Sequence, residues 1–282
     1  MELILFGTGA PPPHKDKNGP ANGIFANGKI YLVDAARNVS QQVVKAGFKL
    51  SEIDQLFFTH FHSDHYSGFG DFFISRWLTG AKKPLQVWGP PPVKKIVSKM
   101  LDYYEYDIDL RVREGTHTRA GTEIEAKSLF PGDGFDVDYM TVSVEKGTVH
   151  GNVDEILSYR FDFEEDSIVI ASDGHPTEEL TRLSHGTNIL LAHFCVPHMY
   201  DKYGIRNSFS DLVIGHHATA EEISIVAKKA GVKTLVFSHI IPPITSNGEA
   251  FEEISKYYDG KIIAGKDLMC IETWCEISSS YT

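Results

Sequence analysis

The stretch His60-Phe61-His62-Ser63-Asp64-His65 places three imidazoles and one carboxylate on a very short length of backbone. It follows residues 55–59, an apolar run with strand character that ends directly before the first histidine. In an extended segment His60 and His62 share a face, while Asp64 and His65 lie one turn further on. Imidazole and carboxylate ligands suit divalent cations, so the stretch predicts two neighbouring metal ions, with zinc preferred and manganese or iron as alternatives. The competing interpretation is a chance cluster of solvated histidines in a chain that has 13 of them.

Composition and charge favour a globular enzyme and disfavour a nucleic-acid partner. Hydrophobic residues make up 42% of the 282 residues and charged residues 23%, as in ordinary globular proteins. The net charge is -11, and lysine and arginine never form a run longer than a pair. Non-specific binding to nucleic acids depends on cations that neutralise phosphates, so we expect a small-molecule substrate instead.

The N-terminus and the cysteines predict the compartment. Residues 1–7 contain no basic segment and lead directly into the turn Gly7-Thr8-Gly9, which favours a first strand over a signal peptide. No apolar stretch approaches the length that spans a bilayer. The cysteines Cys195, Cys270 and Cys275 lack CxxC spacing, so each is predicted to be a small buried residue and not part of a disulfide or a zinc site. We therefore expect a cytoplasmic enzyme without a membrane partner.

Hydrophobic patterning divides the chain into two strand-rich halves, each flanked by helices. Asn27-Gly28 between two apolar segments predicts a hairpin with a type I′ turn. This order of elements predicts one α/β domain over residues 1–282, an αββα sandwich with the sheets inside. Predicted strands cover residues 2–7, 23–27, 29–33, 85–88, 108–112, 122–130, 139–144, 156–163, 167–171, 188–192, 234–238, 261–264 and 268–272, and predicted helices cover residues 39–46, 93–101, 177–183, 220–230 and 249–258.

The histidine-rich stretch resembles the HxHxDH signature of the metallo-β-lactamase superfamily, whose fold is the four-layer αββα sandwich. Later residues match the rest of that family's ligand pattern. His150 follows a β-rich stretch, Asp173 ends the apolar run 168–172, and His239 ends the run 235–238. The resemblance implies that two cations are held by His60, His62 and His150 on one side and by Asp64, His65 and His239 on the other, with Asp173 as the bridge.

A second motif resembles a narrower branch of this family. His217-Ala218-Thr219-Ala220, ahead of a helix and a strand, is similar to the HSTA motif of the ribonuclease Z, arylsulfatase and phosphodiesterase branch. The resemblance implies that His217 protonates or stabilises the leaving oxygen without binding metal. His216 is its rival, because a shift of one residue exchanges them. Asp34 is predicted to orient a metal-bound histidine, with a turn aspartate as the alternative.

Departures from this branch bear on the substrate. Ribonuclease Z enzymes carry a long tRNA-gripping arm between the third histidine and the bridging aspartate. Here only residues 151–172 lie between them, and two predicted strands fill most of that segment. Ser172 replaces the usual glycine, and Phe194 replaces a glutamate. We therefore expect hydrolysis of a small phosphodiester or an aryl sulfate-type ester by metal-activated water, with Asp64 as both ligand and proton acceptor.

Several alternatives stay open on the sequence. The protein could be an armless tRNA 3′-endonuclease, a lactonase or a metal-binding protein without catalysis, and a homodimer is also open. His150 could be a loop histidine, His239 a core histidine, and Asp173 the cap of the following helix. Five aromatic residues could form a pocket for an apolar leaving group or belong to the core, namely Phe72, Phe73, Trp77, Phe194 and Tyr200.

Overall fold

Two seven-stranded sheets form the centre of the computed structural model, which describes residues 1–273. The first sheet contains, numbered along the chain, β1 (Glu2–Gly7), β2 (Ala21–Ala26), β3 (Lys29–Val33), β4 (Gln55–Phe57), β5 (Leu85–Gly89), β6 (Ile124–Ser128) and β16 (Met269–Glu272). Its spatial order is β16-β1-β2-β3-β4-β5-β6. The strands from β16 to β3 pair antiparallel, and those from β3 to β6 pair parallel.

The second sheet has the same mixed character. Its strands are β7 (Gly134–Val137), β8 (Met140–Glu145), β10 (Ser158–Phe163), β11 (Asp166–Ile170), β13 (Ile189–Ala192), β14 (Thr234–Phe237) and β15 (Lys261–Ala264). They lie in the order β15-β14-β13-β11-β10-β8-β7, and β11, β13, β14 and β15 run parallel. A short ladder pairs β9 (Thr148–Val149) with β12 (His175–Pro176).

Helices cover the outer face of each sheet. They are α1 (Val39–Lys45), α2 (Ser63–Tyr66), α3 (Phe69–Leu78), α4 (Val93–Arg113), α5 (Glu178–Leu183), α6 (His198–Lys202), α7 (Ser208–Ile214), α8 (Ala220–Ala230) and α9 (Asn247–Ile254), with a 3₁₀ turn at Leu50–Glu52. None of the helices within residues 1–273 is long and apolar enough to cross a bilayer.

Three hydrophobic cores hold the layers together. One lies between the sheets, where Phe57 of the first sheet meets Tyr159 and Phe161 of the second. A second core packs α1, α3 and α4 on the first sheet, and a third packs α5, α8 and α9 on the second. This arrangement confirms the predicted αββα sandwich, because each sheet buries one face against the other sheet and one against helices.

Local patterning predicted some elements correctly and one wrongly. Asn27 and Gly28 both have positive φ, 48° and 72°, as the predicted type I′ hairpin requires. The predicted strand over residues 108–112 is wrong, since this segment forms the last turns of α4. Its alternation of apolar and charged residues resembles a half-buried strand, but Ile108 packs into the second core as part of a helix.

The cysteine predictions have mixed outcomes. Cys195 is buried, as predicted. The prediction for Cys270 is wrong, because this side chain is exposed on the edge strand β16. Side chains alternate along a strand, and here the neighbouring Ile271 is the one that faces the core. Cys275 lies outside the described residues.

Candidate metal centre

One edge of the sandwich collects the chemically active side chains. Asp34 follows β3, and the segment from His60 to His65 follows β4 in the same sheet. In the second sheet three consecutive parallel strands, β11, β13 and β14, are followed by Asp173, His193 and His239. The carboxyl ends of parallel strands meet at one sheet edge, so residues distant in sequence converge there.

The predicted ligand residues form compact groups at this edge. One potential ligand atom from each residue lies within 4.8 Å of the others in the trio His60, His62 and His150 and in the trio Asp64, His65 and His239. The same holds for two further groups that contain Asp173: one with His60 and His65, the other with His150 and His217. All of these residues except His62 are buried. The structure thus brings together every residue of the predicted ligand set.

Asp173 lies at the centre of the cluster. Its Oδ2 is 3.4 Å from His65 Nε2, 3.5 Å from His239 Nε2 and 4.0 Å from His217 Nε2. Burial alone would raise the pKa of Asp173, but the surrounding imidazoles hold it well below its usual value. The carboxylate is therefore ionised in the buried cluster, which suits it to a position between two cations.

Asp34 is linked by hydrogen bonds to one histidine of each trio, on the side of the rings that faces away from the cluster. Its Oδ2 accepts a hydrogen bond from His65 Nδ1 at 2.8 Å and another from Thr59 Oγ1 at 2.9 Å, and Thr59 Oγ1 lies 3.1 Å from His60 Nδ1. Because the hydroxyl donates to Asp34, it accepts from His60. Both imidazoles thereby point Nε2 toward the cluster, as the nitrogen that is left to bind a metal. Asp34 is therefore a buried hydrogen-bond partner of the candidate ligand His65 and not a solvent-exposed turn residue.

The carboxyl end of α7 orients three further imidazoles. Nδ1 of His217 donates to the carbonyl of Val213 at 2.7 Å, and Nδ1 of His150 donates to the carbonyl of His216 at 2.7 Å. Nε2 of His175 lies 3.1 Å from the carbonyl of Gly215. A carbonyl can only accept, so His217 and His150 also present an unprotonated Nε2 to the cluster.

His217, and not His216, belongs to the cluster. His217 is buried, and its ring centroid lies 4.7 Å from that of His150. Burial lowers the pKa of His217 to about 4, although the nearby Asp173 carboxylate partly opposes this effect. The side chain of His216 instead packs beside Gly151, where a Cβ would meet its ring at 2.7 Å.

The structure also distinguishes between the alternatives for single residues. The N-cap position of the helix after Asp173 is occupied by Thr177, so Asp173 is not its cap residue. His150 is buried and pairs in an isolated bridge with Val153. His239 directs Nε2 toward Asp64 Oδ2 at 3.1 Å. Of the five aromatic residues proposed for a leaving-group pocket, Phe72, Phe73 and Trp77 lie in the second core and Phe194 in the third. Tyr200 lies in a small separate buried cluster with Cys195 and Ile241.

His193 is the residue of the cluster that sequence patterning missed. It is buried, its Nδ1 lies 3.5 Å from Asp173 Oδ1, and its Nε2 accepts a hydrogen bond from the Gly174 amide at 3.0 Å. The available signal was its position directly after β13, since Asp173 and His239 also follow strands of the same parallel set. His193 thus supports the backbone beside the central carboxylate.

The donor set fits divalent cations. Nε2 of His65 is buried and has no hydrogen-bond partner among residues 1–273, although carboxylate oxygens of Asp173 and Asp64 face it at 3.4 and 3.6 Å. Burial would lower the pKa of His65, but Asp173 and Asp34 raise it well above its usual value, so this position attracts positive charge. A cation between the imidazole and the two carboxylates would satisfy all three groups.

Comparisons with known proteins agree with this geometry. Residues 29–240 match the family described as the beta-lactamase superfamily domain. Ribonuclease Z from Mycobacterium marinum is 31% identical over 281 residues, which is 96% of this chain and 98% of that protein. Ribonuclease Z from Mycobacterium sp. strain KMS is 32% identical over 89% of this chain and 87% of that protein.

Solved structures share the fold at lower identity. The short form of human tRNase Z (ELAC1) superposes with a TM-score of 0.72 at 18% identity, over 97% of this chain and 99% of that one. A diphosphatase of the PhnP family gives a TM-score of 0.68 at 18% identity, over 96% and 97% of the two chains.

An arm-like extension is absent from the described residues, because half of residues 151–172 is taken up by β10 and β11, which pair as neighbours within the second sheet. The converging histidines and carboxylates, the family match and the ribonuclease Z relatives lead to one assignment. The chain belongs to the metallo-β-lactamase superfamily of metal-dependent hydrolases, as a homologue of ribonuclease Z that has no arm within residues 1–273.

Proposed function

We propose that the protein hydrolyses phosphodiesters with the help of two divalent cations, zinc in both positions. The observation that carries the proposal is the convergence of two ligand trios on a single ionised carboxylate. His60, His62 and His150 would hold one cation, Asp64, His65 and His239 the other, and Asp173 would lie between them. A bound pair of this kind supplies an activated water molecule at neutral pH and binds the oxygens of an ester.

Two side chains of the protein, Asp64 and His217, would carry out the proton transfers. Asp64 lies 3.1 Å from His239 and 3.6 Å from His65, so its carboxylate can accept a proton while it stays oriented by both rings. His217 would assist the departure of the leaving oxygen. Its Nδ1–H is fixed on the Val213 carbonyl, so Nε2 is the atom that can exchange a proton with the substrate. An anionic ester beside Nε2 would raise the low pKa of His217 by the same Coulombic effect that Asp173 exerts.

The architecture around the site and the charge of the protein favour a small or short substrate. The second sheet continues directly through β10 and β11, without an arm among the described residues to wrap a large RNA. The net charge of -11 also disfavours broad contact with a polyanion. We therefore favour a small phosphodiester, with an aryl sulfate-type ester as the related alternative. The cytoplasmic location stays a prediction from the sequence.

Metal analysis and chromogenic esters test this proposal together. Zinc-loaded protein should hold about two equivalents per chain and hydrolyse bis(p-nitrophenyl) phosphate, as expected for a two-metal site. His60→Ala and His65→Ala should each lower both the zinc content and the rate. A zinc content of no more than about one equivalent would contradict the two-metal site. A loaded protein that is inert on phosphodiester, sulfate and lactone esters would instead support a metal-binding protein without catalysis.

Cleavage of precursor tRNA at its 3′ end is the second candidate function. It is favoured by the 31% identity to ribonuclease Z of Mycobacterium marinum over almost the full length of both chains. The assay uses a labelled precursor tRNA and maps the cleavage position. If the small-ester proposal is right, cleavage should be weak, strongly salt-dependent and poorly localised. Efficient cleavage at one 3′ position would establish the second candidate in its place.

A further inference from the structure

A small polar cavity adjoins the candidate metal centre. It lies between the sheets, since its lining includes Asn22 of the first sheet and Leu191 of the second. The candidate ligands His65, Asp173 and His239 also line it. Its volume is about 30 Å³, which is room for about two water molecules. The cavity is therefore polar enough and large enough to hold ordered water.

One of these candidate ligands, His239, has a hydrogen-bond partner on only one of its ring nitrogens. Its Nε2 lies 3.1 Å from Asp64 Oδ2, whereas its Nδ1 is buried and has no partner among residues 1–273. When Nε2 of a histidine binds a metal, Nδ1 carries the ring proton, and this proton needs an acceptor. His65 has such an acceptor in Asp34. No described protein group plays this part for His239, so its acceptor has to come from the cavity.

Asn22 is a second lining residue with an unpartnered buried atom. Its Oδ1 is buried and has no hydrogen-bond partner within the described part of the chain. Asn22 belongs to β2, in which Ile24 and Ala26 on the same face pack into the core between the sheets. A buried amide oxygen without a donor is costly, so this polar residue in an apolar row indicates a donor inside the cavity.

Ser172 supplies a third polar group, and its neighbours define its role. The hydroxyl of Thr148 donates to the carbonyl of Asp173 at 2.7 Å. Because this bond uses the only proton of the Thr148 hydroxyl, Ser172 Oγ, at 3.2 Å from it, has to be the donor between the two hydroxyls. Ser172 Oγ then has only lone pairs left. It can therefore accept a further hydrogen bond from a donor in the cavity that it lines.

We propose that the cavity holds an ordered water molecule, fixed by Asn22 and Ser172, which accepts the Nδ1 proton of His239. The water would donate one proton to Asn22 Oδ1 and the other to Ser172 Oγ. These three hydrogen bonds match the number that a buried water usually makes. Asn22 is then a positioning residue, because it orients the His239 ring toward the metal through the water. The inference rests on the proposed function, since it takes His239 to be a zinc ligand.

A further cation fits the cavity less well than water. Both oxygens of Asp34 already accept hydrogen bonds, from Thr59 and from His65. The Nδ1 proton of a metal-bound His239 would also repel a cation in the same space. Only a group that both donates and accepts, as water does, satisfies the ring nitrogen and the two side-chain oxygens together.

Two measurements on the zinc-loaded wild-type protein look for the water directly. A crystal structure at high resolution should show a water within about 3.2 Å of His239 Nδ1, Asn22 Oδ1 and Ser172 Oγ. Long-range ¹H–¹⁵N correlation spectra of protein with ¹⁵N-labelled histidine should show His239 protonated at Nδ1, with the downfield proton shift of a hydrogen-bonded group. A dry cavity, a zinc ion inside it, or a protein group bonded to Nδ1 would overturn the inference.

Variants of the two residues that hold the water test the positioning role. Asn22→Leu keeps a similar shape but removes the polar atoms, so the zinc ion held by the trio with His239 should bind about tenfold more weakly. Asn22→Asp keeps an oxygen in the same place and should restore the hydrogen-bonded Nδ1 signal. Ser172→Ala should weaken the same zinc ion in the same direction, and it supplies the test if Asn22→Leu does not fold. Zinc affinity is measured by competition with a chromophoric chelator.

Ser184→Ala is the control, because Ser184 Oγ is also buried without a partner among residues 1–273 but does not line the cavity. It should leave the zinc affinity and the His239 signal unchanged. Wild-type affinity and signal in both Asn22→Leu and Ser172→Ala would refute the positioning water. A protein that binds two zinc ions and shows the expected losses, yet is inert on bis(p-nitrophenyl) phosphate, would refute the proposed hydrolysis and leave this inference standing.

Discussion

Asp34→Asn should lower the metal affinity of both candidate positions, because the buried Oδ2 of Asp34 supports one histidine of each trio. Asp34 accepts from His65 Nδ1 directly and supports His60 through Thr59. An asparagine of the same shape would turn an amide donor toward one of these groups. If the donor faces His65, the imidazole must move its proton to Nε2, and the protonated Nε2 cannot bind a cation. Loss of such a supporting partner typically lowers metal affinity about 10–100-fold, or about 1.4–2.7 kcal/mol.

The backbone at this position makes asparagine the informative substitution. Asp34 has a φ of 59°, in the left-handed region that asparagine tolerates and alanine does not. Asp34→Ala would therefore combine lost hydrogen bonds with backbone strain. Thr59→Val is the matched control, because it interrupts only the branch to His60. Zinc affinity is measured by competition with a chromophoric chelator, and the rate on bis(p-nitrophenyl) phosphate is then measured at saturating zinc.

The two variants should differ in a defined way. Asp34→Asn should lower the affinity of both zinc ions, and Thr59→Val should lower mainly that of the ion held by the trio with His60. If Asp34→Asn binds two zinc ions as tightly as the wild type, the imidazoles are oriented by other contacts, and the role assigned to Asp34 is refuted. Equal losses of both ions in Thr59→Val would also refute the two-branch connection.

Two further predictions concern chemistry and stability. His217→Ala should keep both zinc ions yet lose about 10²–10⁴-fold in rate on esters with poor leaving groups and much less on nitrophenyl esters. The control His216→Ala should change neither the zinc content nor the rates. Equal losses for good and poor leaving groups would remove the proton-donor role. Gly68→Ala should destabilise the fold strongly, because the new Cβ would lie 2.0 Å from the Ala36 carbonyl oxygen, whereas a Cβ on Gly134 meets only Val142 O, at 4.0 Å. Thermal unfolding of Gly68→Ala and Gly134→Ala checks this, and equal midpoints would contradict the predicted clash.

The sequence predicted which ligand-type side chains converge at one sheet edge, because its signals there are local. HxHxDH after a strand, and an aspartate and a histidine after apolar runs, each report on a strand end within a few residues. His193 was missed because its strand carries no accompanying motif, and only the parallel pairing of β13 with β11 and β14 brings it to Asp173. Residues 108–112 were mistaken for a strand because alternation over five residues occurs in helices as well as in sheets. Helix α3 was missed because Gly68 precedes it without a capping side chain.

The candidate ligands come from both sheets, and this has a consequence for folding. Asp64 and His65 lie in α2, which follows strand β4 of the first sheet, whereas Asp173 and His239 follow strands of the second. A cation held by these residues would cross-link the two halves of the sandwich at their common edge. Zinc would then bind the assembled sandwich and not either half, stabilising it by about 2.7 kcal/mol at a free concentration one hundred times Kd. Chelation would therefore lower the unfolding midpoint of the whole sandwich, so that metal supply sets how much folded protein persists.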